Sequence, residues 1–356
     1  MKIERVDRLD QLDLLEADWE RVYADDDRAH VFVSFAWLRS WFEIAPHPWM
    51  VLVARTDQGD CAGFLPLSSR AQEMRGVEVV RELHMAGKPF GPLTGFVVDP
   101  DGSRQVLAAF AGYVQSALAW ESFRLDEVMD DRLEGFLGHF EAGGYEIERG
   151  EPLCCPYLPL PDSWDAYLQD FMSHKGRFNL RRSLRQVEAL DGFRVTGPET
   201  DPVREQIDVL MELWQSKWGP LEPHELATYR HMYTRAFENG GLWLKLLWNG
   251  DVPIGGLAAY LDPVRSAVAY YTSGYDPAFQ KLSPGKLVVG YAIRDCIGRG
   301  LRIFDFLVGG HDYKLSFFGA QERYAASAVI RRSGLRSTAG RMLLGARDAL
   351  RRVRGR

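Results

Sequence analysis

The sequence Ser283-Pro284-Gly285-Lys286 has the residue types of an anion-binding helix start. Serine is a common N-cap, and proline is a common first helical residue. Open N–H groups in such a first turn and the positive end of the helix dipole favour an anion, and Lys286 adds a positive charge. A strand predicted over 264–274 leads into this turn, so an extended ligand lying along it would place a phosphate at the helix. In the other interpretation, the Ser-Pro pair only marks the start of a helix.

A second set of polar residues also indicates an anionic ligand. A helix is predicted from about Ser173, and four basic residues share one of its faces: His174, Arg177, Arg181 and Arg185. Arginine pairs well with carboxylate or phosphate, although such a face is often only solvated. On the following helix, Trp214 and Trp218 either line a ligand groove together with Lys217 or belong to the core.

Composition excludes several classes of protein. The chain has 356 residues, of which 46% are hydrophobic and 26% charged, as is typical of a folded globular protein. No run of about 18 apolar residues predicts a membrane span, and no secretion signal is recognisable at the start, so we expect a cytoplasmic protein. The four cysteines include no C-x-x-C and the eight histidines are scattered, so the sequence predicts neither a disulfide framework nor a metal site.

The net charge of −6 conceals a basic C-terminal tail. Residues 331–356 contain nine arginines and one aspartate, which leaves the first 330 residues at −14. An acidic body argues against a general nucleic-acid binder. The tail has a helical apolar stripe flanked by arginines. It therefore predicts either peripheral docking on an anionic membrane or nucleic acid, or a terminal helix that is solvated or packed on the acidic body.

One order of predicted elements occurs twice along the chain. The first half has helices near 8–22 and 34–44, strands near 50–55, 61–67, 77–85 and 93–98, a helix from Ser103 to about Trp120, and a strand at 123–128. The second half has helices near 163–190, 201–218 and 225–238, strands near 242–248, 253–261 and 264–274, a helix from Ser283 to about Gly300, and a strand at 302–307. Matching landmarks are 177 to 192 residues apart, which indicates an internal duplication.

The proline-rich segment 151–161 separates the two copies, because it cannot continue a helix or a central strand. We therefore predict an α/β fold, of the α+β kind with mixed sheets and flanking helices, in two tandem domains. Their predicted ranges are 1–155 and 156–332, followed by the Arg-rich tail 333–356.

Several motifs resemble a known family. The helix start at 283–286, the segment 300–306 (GLRIFDF) and the segment 309–314 (GGHDYK) follow the order found in the CelD-like, or BioF2-like, acetyltransferases of the GNAT superfamily. Segments 32–41 and 175–182 are also similar to that family, and the resemblance extends to about residue 332. Related two-domain proteins include the Fem-type peptidyltransferases, which use aminoacyl-tRNA in place of acyl-coenzyme A.

This resemblance implies two tandem GNAT-like domains, the second of which holds acetyl-coenzyme A or another acyl-coenzyme A as co-substrate. Pantetheine would lie along a splayed central strand at Tyr271, Thr272, Ser273 and Gly274, and the phosphates would lie at Ser283, Gly285 and Lys286. The sequence departs from the family in one respect. The GNAT phosphate loop is rich in glycine, but no glycine stands between Asp276 and Ser283.

Acyl transfer to an amine requires a base and a group that stabilises the oxyanion or the leaving thiolate. The candidates are Asp305, His311, Tyr313 and Lys314. Asp305 interrupts an apolar strand, where burial would make it a stronger base, or else it forms a structural ion pair. Lys314 either presents its charge at the mouth of the site or is solvated. The acceptor-binding candidates are Lys175, Arg177, Asn179, Arg181, Arg182, Trp214 and Trp218.

These observations lead us to expect an N-acyltransferase. It would transfer an acetyl or other acyl group from acyl-coenzyme A to an amine, or a hydroxyl, of an anionic small-molecule or saccharide-type acceptor, as in polysaccharide biosynthesis. One alternative is a Fem-type transferase that depends on aminoacyl-tRNA. Another is a non-catalytic docking protein that binds anionic partners through its basic tail.

Overall fold

The computed structural model describes residues 1–74, 77–310 and 312–332. His311 and the tail 333–356 therefore lie outside the described residues, together with the roles that the sequence indicates for them. The chain forms two compact units. One comprises Met1–Pro152 and the described residues from Ala325 onward, and the other comprises Leu153–Tyr324.

The first unit contains most of the N-terminal elements. In chain order they are β1 (Lys2–Val6), α1 (Leu9–Asp13), α2 (Glu16–Asp25), α3 (Phe35–Phe42), β2 (Trp49–Arg55), β3 (Cys61–Met74), β4 (Val77–Met85), β5 (Val97–Val98), α4 (Ser103–Ala117), β6 (Ser122–Val128), α5 (Leu133–Ala142) and β7 (Glu146–Arg149). Helix α3 begins after Ser34, whose hydroxyl accepts a hydrogen bond from the Trp37 N–H. For α4, the N-cap is Gly102, and the predicted cap Ser103 is instead the first helical residue.

The second unit contains the elements that position the candidate site. In chain order they are β8 (Leu153–Cys154), β9 (Tyr157–Pro159), α6 (Trp164–Asp170), α7 (His174–Glu188), β10 (Phe193–Thr196), α8 (Val203–Trp218), α9 (Pro223–Glu238), β11 (Leu242–Asn249), β12 (Val252–Asp262), β13 (Ala267–Tyr275), α10 (Pro284–Gly298), β14 (Ile303–Asp305) and α11 (Asp312–Ser316). The last strand described in the chain is β15 (Tyr324–Arg331).

Each unit has one mixed sheet, and the two sheets share an order of strand pairing. The first sheet runs β1-β2-β3-β4-β6-β15-β7, with β5 beside β3, and the second runs β10-β11-β12-β13-β14-β9. In both sheets three antiparallel pairs precede one parallel pair, which is β4 with β6 in the first unit and β13 with β14 in the second. Two mixed sheets with flanking helices confirm the predicted fold class.

The limits of the compact units differ from the predicted domain limits. The sequence placed residues up to 332 in the second domain, whereas the structure assigns Ala325 onward to the first unit. The reason is that β15 pairs with β6 and β7 of the first sheet. The other boundary lies after Pro152 rather than after Cys155, still within the proline-rich segment.

Both units have apolar cores against one face of their sheets. In the first unit α4 and α5 pack against the sheet through buried aromatic residues, among them Phe110, Phe136 and Phe140. In the second unit α7 and α10 cover one face through residues such as Leu180 and Leu287. Helices α8 and α9 cover the other face. No helix in the described part of the chain is both long and apolar enough to cross a membrane.

Gly274 allows α8 to approach β13 closely. A β-carbon added to Gly274 would lie 2.3 Å from the backbone nitrogen of Trp214 and 2.4 Å from the carbonyl carbon of Leu213. These atoms belong to a helix backbone and cannot move aside independently. The predicted pantetheine-binding residue Gly274 therefore has a packing role in this structure.

We expect Gly274→Ala to destabilise the protein by about 2 kcal/mol, because overpacking displaces α8 from the sheet. Urea denaturation measures the change. Gly298→Ala is the control, since a β-carbon there meets nothing within 4 Å, and alanine is the better helix former. Equal stability of the two variants would contradict the close approach of α8.

Candidate active site

The parallel strands β13 and β14 diverge after three residues. Ala267–Ala269 pair with Ile303–Asp305, and β14 ends there while β13 continues to Tyr275. Among the described residues, no strand covers this edge of β13 beyond Ala269. An unpaired strand edge presents N–H and C=O groups that a bound extended ligand can pair with.

Two local features hold the strands apart. In β13, Tyr271 is an extra residue relative to β12, since Ala258 pairs with Thr272 and Ala259 with Tyr270. Such a bulge bends the strand. In β14, the Asp305 carboxylate accepts the Leu307 N–H at 2.9 Å, and Leu307 has a φ of 56°. This turn leads the chain away from β13.

Asp305 is only 8% exposed and forms an ion pair with Arg323. One carboxylate oxygen thus accepts the Leu307 N–H, and the other contacts the guanidinium. Of the two interpretations that the sequence left open, the structure therefore contains the ion pair. Because both carboxylate oxygens are held by contacts within the protein, the geometry favours a positioning role for Asp305.

Hydroxyl groups line the α10 face of the diverging strands. The Tyr270 hydroxyl lies 2.6 Å from the Ser273 hydroxyl and is also hydrogen-bonded to Tyr313 of α11. Burial raises the pKa of both phenols, so they remain protonated at neutral pH and can donate. Tyr270 is not among the residues that the sequence predicts for the site, and in a regular strand residues 270 and 273 would face opposite sides. The bulge brings them to one side.

Lys314 of α11 is buried, with 4% of its surface exposed. Its ammonium donates to the Phe306 carbonyl oxygen at 3.0 Å. Burial lowers the pKa of Lys314, and the nearby Asp305 charge opposes that shift. The solvated lysine that the sequence allowed is therefore not what the structure contains.

Other predicted residues of β13 face α8 and α9. Thr272 accepts a hydrogen bond from the Tyr233 hydroxyl at 2.6 Å, and the Tyr271 ring lies 5.3 Å from the Tyr260 ring. Trp214 of α8 belongs to the same aromatic cluster, with its ring 6.2 Å from that of Tyr229. Tyr271 and Thr272 can therefore contact a ligand at the open edge through their backbone rather than through their side chains.

The start of α10 offers fewer N–H groups than the sequence predicts. Ser283 is the N-cap in a left-handed conformation, and its side chain makes no capping hydrogen bond. The amides of Lys286 and Leu287 donate to the Ser283 carbonyl, and proline has no N–H. Gly285 has the one first-turn amide without a partner among the described residues. The preceding loop is a short 3-10 helix, Pro277–Leu282.

Two helix starts lie together at this end of the second unit. The Lys286 ammonium is 4.2 Å from the Phe317 ring centroid, and a β-carbon at Gly176 of α7 would lie 3.6 Å from the Phe317 oxygen. Further along, Leu180 of α7 packs against Gly290 of α10. The two helices therefore run in parallel, and the positive ends of both dipoles point the same way.

The predicted basic face of α7 is divided. Arg177 donates to the Leu168 carbonyl at 3.1 Å, and Arg181 pairs with Asp165 at 3.4 Å, so both arginines hold α6. The exposed polar residues Lys175, Asn179 and Arg182 lie four and three residues apart and form a different face. Among the described residues, the side chains of this second face form no hydrogen bond or ion pair within the protein, so this face is the more available one to an acceptor.

In the first unit a segment of the chain pairs with β6, the strand that corresponds to β14. Beyond the pairing of β4 with β6, Thr94 forms a parallel bridge to Val128. Its N–H donates to the Glu127 carbonyl at 2.9 Å, and its hydroxyl donates to the Asp126 carbonyl at 2.6 Å. The two units therefore share a strand order but differ in what the chain places beside the parallel pair. Within the described ranges, no group of three or more His, Cys, Asp or Glu residues could hold a metal ion.

Residues 174–315, from α7 to α11, match the family model described as an acetyltransferase (GNAT) domain. This match lies entirely within the second unit. No curated protein matches the chain in sequence.

Solved structures extend the GNAT similarity in fold to nearly the whole chain. A crystal structure of FemX is similar with a TM-score of 0.64 and 13% identity, covering 92% of this chain and 97% of FemX. A tandem GNAT protein from the clavulanic acid biosynthesis pathway is similar with a TM-score of 0.54 and 12% identity, and the match covers 94% of this chain and 100% of that protein. L-PGS from Bacillus licheniformis is similar with a TM-score of 0.51 and 11% identity, and the match covers 92% of this chain and 94% of L-PGS. At these identities the similarity concerns the fold.

The buried Lys314 ammonium makes a testable contribution to pH-dependent stability. Because the folded-state pKa of Lys314 lies below its unfolded-state value, the unfolded chain binds more protons, and wild-type stability gains from a rise in pH. We expect the unfolding free energy of Lys314→Met, minus that of wild type, to fall between about pH 7 and about pH 10. Urea denaturation measures it. The exposed Lys281→Met is the control, and a pH-independent difference for Lys314→Met would contradict the shift.

Proposed function

We propose that the protein is an acyltransferase that moves an acyl group, acetyl in the simplest case, from acyl-coenzyme A to an amine or hydroxyl of an anionic, saccharide-type acceptor. The observation that carries the proposal is the open edge of β13 beside the diverging β14. Pantetheine is an extended chain with two amide groups, which suits a row of unpaired backbone donors and acceptors. In the first unit Thr94 occupies the side of β6 beyond the parallel pair, which supports a donor site in the second unit.

Side chains beside this edge support the chemistry. In the proposed reaction, the acceptor nitrogen or oxygen attacks the thioester carbonyl and loses its proton to water, the C–S bond breaks, and the leaving thiolate takes a proton. Tyr313, protonated and linked to Tyr270 and Ser273, is our candidate proton donor. The Lys314 ammonium is our candidate for stabilising developing negative charge. Lys175, Asn179 and Arg182 are candidates for binding an anionic acceptor.

The phosphate end of the donor would depend on Lys286. Since Gly285 alone offers an open amide at the α10 start, the Lys286 ammonium has to supply much of the attraction for the phosphates. We expect acetyl-coenzyme A to raise the melting temperature of the wild-type protein by mass action and to leave Lys286→Glu unshifted. Lys2→Glu makes the same charge change in β1 of the first unit and is expected to keep the wild-type response. No shift with any acyl-coenzyme A would refute the proposed donor.

Tyr313 and Asp305 are expected to respond differently to substitution. Tyr313→Phe removes the proton donor, so we expect thiol release from acetyl-coenzyme A to slow by at least about tenfold, at unchanged stability. Asp305→Asn breaks the pair with Arg323, so we expect a loss of about 1–3 kcal/mol in stability and little loss of turnover. Thiol release is measured without acceptor and with glucosamine 6-phosphate as an anionic probe. A large loss of turnover with unchanged stability in Asp305→Asn would instead identify a catalytic base.

A second candidate is an aminoacyl-tRNA-dependent transferase of the Fem type. The single open amide at the α10 start favours it, as does the fold similarity to FemX. This candidate predicts retention of tRNA, with binding that weakens steeply as salt rises. Saturable tRNA binding, combined with no thermal shift from acyl-coenzyme A, would replace the first candidate by the second.

A further inference from the structure

Lys217, near the C-terminal end of α8, is a half-buried lysine without an oxygen partner. Its ammonium lies between two rings, 4.4 Å from the Trp218 centroid and 4.8 Å from the Tyr275 centroid. In the described part of the chain it donates to no carboxylate or carbonyl. By contrast, Lys88 and Lys245 pair with Glu127 and Glu199. Partial burial of a cation without a counter-ion has a desolvation cost, and an anionic ligand would offset that cost.

The position of Lys217 indicates which ligand would reach it. Tyr275 is the last residue of β13, and a β-carbon at Gly285 would lie 3.5 Å from its ring. Lys217 is therefore near the open amide of Gly285 and at the end of the unpaired strand edge. It approaches this end from α8, outside the turn that connects β13 to α10.

The local backbone keeps Lys217 in place. Helix α8 ends at Gly219, which has a φ of 98°, and the Gln215 side chain accepts the Leu221 N–H at 3.1 Å. Next to the ammonium, Trp218 remains 61% exposed. An exposed indole beside a fixed cation offers a stacking surface to a planar ring and a charge to the group attached to it.

We propose that Lys217, Trp218 and Tyr275 form a binding site for a phosphate group carried by a nucleotide-like ligand that enters the open end of β13. The phosphate accepts hydrogen bonds from the Lys217 ammonium, and the ring of the ligand stacks on Trp218. Two sources have this chemistry, the coenzyme A part of a donor and a phosphorylated acceptor. The first source rests on the function proposed above, and the second does not.

Isothermal titration calorimetry of the full chain tests the site with coenzyme A, pantetheine and pyrophosphate as probes. We expect Lys217→Met to weaken coenzyme A binding at least about tenfold, the size of a lost charge-assisted hydrogen bond, and to leave pantetheine binding unchanged. Lys217→Arg is expected to restore most of the affinity. Lys281→Met removes the same charge from the 3-10 helix before α10 and is expected to change the affinity less than about threefold.

The outcomes separate this site from the proposed function. If wild type binds coenzyme A and Lys217→Met binds it equally well, or Lys281→Met weakens it as much, the Lys217 site is refuted while the donor proposal stands. If wild type binds pyrophosphate in a Lys217-dependent way but no coenzyme A, the site stands with a phosphorylated acceptor as its ligand, and the donor proposal fails. Binding of none of the three probes would refute both. Unchanged circular dichroism and melting temperature of Lys217→Met show that a loss of binding is not a loss of folding.

Discussion

The divergence of β13 from β14 is the constraint on which the candidate site depends. Two strands that begin as a hydrogen-bonded parallel pair can separate only if each has a local reason to bend. In β13 the reason is the extra residue Tyr271, and in β14 it is the turn in which the Asp305 carboxylate accepts the Leu307 N–H. A left-handed leucine costs about 1 kcal/mol, which that hydrogen bond and the ion pair with Arg323 offset. The same two bends bring Tyr270, Ser273 and Tyr313 together, so they produce both the open edge and its polar lining.

The comparison of the two units shows that strand order does not determine this chemistry. Both sheets place a parallel pair after three antiparallel ones. In the first unit Thr94 satisfies backbone groups of β6, the counterpart of β14, beyond the parallel pair, and in the second unit the described residues leave the edge of β13 uncovered. Buried backbone groups must be paired, so an edge that the chain does not pair is one that a ligand or water has to satisfy. Two units with the same strand order can therefore differ in which backbone groups they leave open to a ligand.

The sequence predicts structural features that depend on neighbouring residues, and it does not predict features that depend on contacts between distant residues. The β2–β3 hairpin, the Ser34 cap and the repeated element order follow from local patterns and turn residues, and the structure contains them. The Tyr271 bulge is set by register against β12, so strand alternation alone misplaces Tyr270. Arg177 turns to carbonyls of α6, which divides a face that helical spacing presents as continuous. Likewise, nothing local to β15 reveals that it pairs in the first sheet, since that pairing is set by partners about 200 residues earlier.

The start of α10 determines how the second unit can distinguish between donors. A loop with several open amides recognises a phosphate by the directions of its hydrogen bonds, but here one amide and nearby lysines are available, and cations are tolerant of direction. Charge alone therefore separates coenzyme A poorly from the terminal phosphates of a tRNA. The edge of β13 differs in this respect, because pantetheine carries amide groups spaced along its chain, whereas the 3′ end of an aminoacyl-tRNA presents bases, ribose hydroxyls and one ester. Selectivity for a thioester would accordingly depend on how many backbone groups along the β13 edge form hydrogen bonds with the ligand. The bulge at Tyr271 determines how many backbone groups of β13 face the opening.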